Sequence, residues 1–162
     1  MLRPLVLGLA VATLASASWI WAADAGGDAW NLAGTILAAA GFALATWGAA
    51  RDAAKVMAAG VLAAAVGIFL FYRGDFTGGT ANFAGLIFLM GAGIAAAALW
   101  RGARRVAALG FVALALSGLV WIYADLDSPR WQIGDAMLAL GAGVTAWGLR
   151  AASLARRADD KG

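Results

Sequence analysis

Apolar residues in this chain fall into six long runs, each separated from the next by a short polar or glycine-rich stretch. The runs are Leu5–Ala22, Trp30–Ala50, Val56–Tyr72, Phe83–Trp100, Val106–Ala124 and Trp131–Leu149. Each is long enough to cross a hydrocarbon core of about 30 Å, which takes roughly 17–25 helical residues. The intervening segments, 23–29, 51–55, 73–82, 101–105 and 125–130, are too short to hold a soluble domain. Inside a bilayer every backbone amide needs a partner within the protein, so an open strand is excluded. A barrel strand would alternate in polarity, and these runs do not. The pattern predicts an all-α membrane protein of six transmembrane helices, forming one domain over 1–150 with a basic tail at 151–162.

Composition supports the lipid assignment. Of 162 residues, 64% are hydrophobic and 13% charged, with a mean hydropathy of +0.83; soluble domains run near 45–50% and about 25%. Cys, His and Glu are absent. That removes disulfides, thiolate chemistry, imidazole acid–base catalysis and zinc sites of ordinary ligand type.

Charge sets the expected orientation. Arg3, Arg51, Lys55, Arg101, Arg104, Arg105, Arg150, Arg156, Arg157 and Lys161 share the side that holds both termini, and Arg73 and Arg130 lie opposite. Ten against two places both termini in the cytoplasm by the positive-inside bias. The expected location is the bacterial inner (plasma) membrane, multi-pass, N-in/C-in. The high pI reflects these evenly spaced inner clusters, so nucleic acid is not an expected partner. All eight tryptophans lie near a predicted helix end and read as an interfacial belt. Met1–Arg3 followed by an apolar run ending near Ala15-Ser16-Ala17 also resembles a signal peptide. The run continues through Trp19-Ile20-Trp21, so retention as a helix is the expectation.

A period of about 50 residues runs through the chain. Trp19-Ile20-Trp21, Leu70-Phe71-Tyr72 and Trp121-Ile122-Tyr123 close the odd-numbered runs, followed by Asp24, Asp75 and Asp125. Even-numbered runs end at Arg51, Arg101 and Arg150. The reading is three tandem two-helix repeats, about 1–51, 52–101 and 102–150, in one orientation. Gly34 and Gly41, Gly85 and Gly91, and Gly134 and Gly141 sit six or seven apart and predict seams of close helix approach.

Candidate chemistry is sparse. Asp135, four residues past Trp131, is the one acid expected within a membrane span. It is read either as a carboxylate in the first helical turn still reaching water or as a proton or ligand site. The outer segments carry Asp24, Asp28, Arg73, Asp75, Asp125, Asp127 and Arg130. Asp125 to Trp131 forms the densest polar stretch, read as a helix-capping turn or a docking surface. Asp75, Asp125, Asp127, Arg130 and Trp131 are the candidate docking residues. No metal site is expected, and an enzyme acting alone is not.

The wording of Gly78-Gly79-Thr80-Ala81-Asn82-Phe83-Ala84-Gly85-Leu86, Leu99-Trp100-Arg101-Gly102-Ala103-Arg104-Arg105, Trp121-Ile122-Tyr123-Ala124-Asp125 and Pro129-Arg130 resembles the membrane-anchor domain of quinoprotein glucose dehydrogenases and the small hydrophobic subunit of sorbitol/glycerol dehydrogenases, over about residues 56–149. The resembled anchors have five spans where this chain has six, and Asn82-Phe83 stands where they carry a Tyr pair. The resemblance implies a non-catalytic anchor or accessory subunit that docks a periplasmic quinoprotein-type dehydrogenase near ubiquinone. The alternatives are a small-solute or ion permease with Asp135 near its mouth, or a structural membrane protein without a ligand.

Overall fold

A computed structural model describes residues 3–25, 28–72 and 79–159. It contains α1 (Arg3–Asp24), α2 (Ala29–Ala50), α3 (Ala54–Tyr72), α4 (Thr80–Trp100), α5 (Arg104–Ala124) and α6 (Pro129–Asp159). All six are long and apolar enough to cross a membrane, as the run lengths predict.

The helix ends follow local chemistry. Asp28 caps α2, its carboxylate accepting from the Trp30 and Asn31 amides at 3.0 and 2.8 Å. α2 and α4 end in the same left-handed motif. Ala53 N–H donates to the Gly48 carbonyl and Ala103 N–H to the Ala98 carbonyl, each at 2.8 Å. The residue in the left-handed conformation is Asp52 in one case (φ 53°) and Gly102 in the other (φ 72°). α6 opens with Pro129, whose missing N–H costs nothing at a first helical position. α6 also runs on without a break through 151–159, beyond the span expected from the sequence. Ala151, Ala152, Leu154 and Ala155 are strong helix formers, and nothing in that stretch stops the helix.

The helices form a closed ring. Each packs antiparallel on its sequence neighbours, and α6 packs back on α1. Backbones meet where glycine allows it: Gly41 against Gly60, Gly91 against Gly110, and Gly141 against Gly8, each with the partner carbonyl 2.6–2.8 Å from where a Cβ would sit. These are the α2·α3, α4·α5 and α6·α1 seams, so the closest approach joins one predicted hairpin to the next. Alanine dominates the buried set, whereas Leu7, Leu14, Ile36, Leu62, Phe69, Met90, Leu109 and Leu140 point outward. Lipid is as apolar as leucine, so an interior in lipid is selected for closeness, not for hydrophobicity.

Large side chains fill the ring's axis. Phe42 of α2 meets Phe88 of α4 edge-on at 6.2 Å, although those helices are not neighbours. Leu9, Phe111, Leu114 and Leu138 complete this apolar plug. Above it, toward the end bearing the α5–α6 turn, the packing changes character.

Candidate functional site: a vestibule at one end of the ring

At that end the axis opens into a cavity of about 290 Å3 to which all six helices contribute. α1 supplies Trp19 and α2 supplies Asn31 and Thr35. α3 supplies Ile68, Phe71 and Tyr72, and α4 supplies Ala81. α5 supplies Trp121, the following turn Asp125 and Ser128, and α6 Trp131 and Asp135.

The walls are aromatic, and their rings bridge helices that do not otherwise touch. Trp19 stands edge-on to Trp121 at 5.7 Å, Tyr72 lies parallel to Trp121 at 6.0 Å, and Phe71 meets Trp131 at 5.5 Å. Trp121 donates its indole N–H to the Ala81 carbonyl at 3.0 Å. Two of the expected seam glycines have a different task here. A Cβ on Gly85 would come within 2.8 Å of the Tyr72 ring, and one on Gly134 would overlap the Trp19 indole. These glycines make room for cavity-wall rings.

Asp135 lies on the wall, 2% exposed. It sits six residues into α6, about 9 Å along the helix at 1.5 Å per residue, so the reading of a first-turn carboxylate at the water interface is corrected. The helix starts two residues earlier than the apolar run, and Trp19 covers the carboxylate. Trp19 Nε1 donates to Oδ1 at 2.9 Å, Oδ2 meets no N–H or hydroxyl donor, and the Asp125 carboxyl lies within hydrogen-bonding reach of the Asp135 carboxyl. The other buried polar side chains among the described residues behave differently. Ser16, Thr35, Ser117 and Thr145 all donate back to carbonyls of their own helices. A buried carboxylate oxygen without a donor or cation is expensive, on the order of several kcal/mol.

Asp125 is half-buried at the cavity mouth, where burial raises its carboxyl above the usual carboxylate range. Its main chain forms the capping turn: the Ser128 N–H donates to the Asp125 carbonyl at 2.9 Å. Asn31 fixes the opposite rim. In the amide orientation that pairs donors with acceptors, its nitrogen donates to the Phe71 carbonyl at 3.2 Å and to Asp28 Oδ1 at 3.3 Å.

The residues expected to dock a partner separate into two groups. Asp125 and Trp131 turn into the cavity. Asp127 and Arg130 are exposed, with the Arg130 guanidinium 4.6 Å from the centre of the Trp21 ring. Asp75 and Arg73 lie outside the described residues. The tryptophan belt needs a correction at three positions. Trp19 and Trp121, 3% and 4% exposed, and the half-buried Trp131 belong to the cavity wall, whereas Trp21, Trp30, Trp47, Trp100 and Trp147 face outward as anchors.

Trp19, Thr35, Phe71, Tyr72 and Trp121 were not singled out from the sequence as site residues. The signal for the four aromatic residues is the cluster closing each odd-numbered run, but periodicity alone does not say which aromatic turns inward, and Thr35 on α2 carries no such signal. Among the described residues no group of three acidic, His or Cys side chains is arranged to hold a metal. No protein-family model, curated protein or solved structure matches this chain.

Proposed function

We propose that this is a multi-pass inner-membrane protein of the permease class, N-in/C-in, whose vestibule faces the periplasm and binds a small solute. The observation that carries this reading is Asp135, a fully buried carboxylate with an unpartnered oxygen on the wall of a cavity. An intramembrane acid is costly and marks ligand or ion paths far more often than it serves packing. The apolar plug below the cavity fits a site reached from one side at a time. The charge distribution supports the orientation, with Arg51, Arg101, Arg104, Arg105 and Arg150 all at the end opposite the vestibule. The recurrence of the glycine pairs at 41/60, 91/110 and 141/8 supports construction from three tandem hairpins closed into a ring.

The chain has no cysteine, so single cysteines report sidedness. Ser128→Cys is expected to react with a membrane-impermeant maleimide on right-side-out vesicles, and Ala103→Cys only after permeabilisation. The reverse pattern overturns the orientation. Purified protein in liposomes is expected to pass a small solute and to lose that flux on Asp135→Asn; liposomes as tight as protein-free ones overturn the permease assignment.

The second reading is the non-catalytic anchor, carried by exposed Asp127 and Arg130 on the rim of the same end, with the aromatic cavity beside them as a place for a ubiquinone headgroup. Affinity purification in mild detergent separates the two. A quinoprotein-type dehydrogenase copurifying, and lost on Asp127→Ala with Arg130→Ala, supports the anchor. A chain that elutes alone sinks it.

A further inference from the structure

The vestibule's chemistry narrows what it can hold. Asp135 presents a buried oxygen without an N–H or hydroxyl donor, Asp125 stands near it at the mouth, and none of the described residues lining the cavity is a lysine or arginine. Four cations elsewhere are engaged, Arg130 over Trp21, Arg51 over Trp47, Lys55 over Trp100 and Arg104 with Asp52, and Arg101, Arg105 and Arg150 lie toward the end of the ring opposite the vestibule. An anion entering the cavity would be repelled, and a neutral solute without a donor would leave the carboxylate unpaired.

A bare metal ion fits poorly, because hard cations take six or more oxygen ligands and aromatic rings supply none. The remaining walls are Trp19, Phe71, Tyr72, Trp121 and Trp131. Aromatic faces carry negative quadrupolar charge and attract ammonium groups, quaternary ones in particular because such ions are weakly hydrated and cheap to strip of water. A volume of about 290 Å3 stands at the small end of ligand pockets, which run from about 300 to 1,000 Å3. That limits the occupant to a compact headgroup.

From this juxtaposition of two carboxylates with an aromatic wall, we propose that the vestibule binds a small organic cation, an ammonium or quaternary ammonium group, with Asp135 as its counter-ion. The proposal rests on the reading above that the vestibule is a solute site open to the periplasm.

The test places a cysteine on the cavity wall at Thr35, nearly isosteric with the native side chain, and uses two thiosulfonates of opposite charge. These are the trimethylammonium-ethyl and the sulfonato-ethyl reagents, with rates referred to their reactions with a free thiol. In right-side-out vesicles carrying Thr35→Cys, the cationic reagent is expected to react at least about tenfold faster, within the range by which charged clefts concentrate a counter-ion. Tetramethylammonium chloride is expected to slow that reaction, and sodium chloride of equal ionic strength to leave it faster. Adding Asp135→Asn and Asp125→Asn is expected to abolish the preference while leaving the elution profile in detergent unchanged. Equal rates for the two reagents, a preference that survives loss of both carboxylates, or no protection by tetramethylammonium would overturn the cation proposal and leave the vestibule standing. A thiol unreactive to both reagents, at Thr35→Cys and at Ser128→Cys alike, would overturn the open vestibule itself and the cation proposal with it. Ser128→Cys also serves for the charge comparison if Thr35→Cys is not recovered folded.

Discussion

Trp19 and Asp135, 116 positions apart, are joined by an indole-to-carboxylate hydrogen bond of 2.9 Å across the α1·α6 seam. That seam is the one that closes the ring without a connecting loop, so this bond links closure of the fold to the poise of the buried acid.

Trp19→Phe keeps the ring that packs on Trp121 but removes the donor, leaving both Asp135 oxygens unpartnered. Stability in detergent is expected to fall by about 1–2 kcal/mol, the upper range for a hydrogen bond between membrane helices. A double-mutant cycle with Asp135→Asn reads the coupling. Additive costs would mean that the bond contributes nothing.

Gly41→Ala and Gly93→Ala are the same substitution on opposite sides of the packing. At Gly41 the new methyl overlaps the Ala64 amide and sits 2.7 Å from the Gly60 carbonyl, whereas at Gly93 nothing lies within 4 Å. The first is expected to cost about 1–3 kcal/mol by forcing α2 from α3. The second is expected to gain about 0.5–1 kcal/mol from helix propensity. Thermal melts in one detergent compare them, and equal shifts would contradict the seam.

Asp125 gives a pH dependence with a definite sign. Burial raises its folded-state pKa above the ordinary 3.8, so the folded protein holds a proton in a window where the unfolded chain has lost it. Stability from this group is therefore highest below the unfolded value and falls as pH rises through the folded one. Asp125→Asn is expected to raise the Tm at about pH 8 and not at about pH 2.5, where both states are protonated. A melt shift independent of pH would count against this.

The Asp52–Arg104 pair at the opposite end, 2.8 Å apart with Asp52 half-exposed, is a surface contact. Arg104→Gln is expected to cost less than about 1 kcal/mol, and that cost to vanish near 1 M salt. A larger, salt-insensitive loss in the melting profile would give this pair a structural weight its exposure does not predict.

Much of the architecture was legible before any coordinates. Run Val56–Tyr72 and helix Ala54–Tyr72 end on the same residue, as do Trp30–Ala50 and Ala29–Ala50, because in lipid a helix must last as long as the hydrocarbon does. Asp135 was legible as well, since an acid within an apolar span is conspicuous. Its surroundings were not. Gly85 and Gly134 read as seam residues, yet they admit the rings of Tyr72 and Trp19. Trp19 and Trp121 read as anchors, yet they face the axis two residues before the outward-facing Trp21 and Tyr123. A tryptophan near a helix end satisfies either environment, and only the rotation of its helix within the bundle selects one.

The amino-acid sequence by itself determined that the chain is six apolar helices with short connections, because span length and hydropathy are properties of each segment alone. The tertiary structure decided that α6 returns to α1, that the ring is plugged at its middle and hollow at one end, and that a buried carboxylate lines the hollow. Those are relations between segments far apart in the chain. They depend on which face each nearly uniformly apolar helix turns inward, and a helix with small and large apolar residues all round carries little record of that choice until its neighbours pack against it.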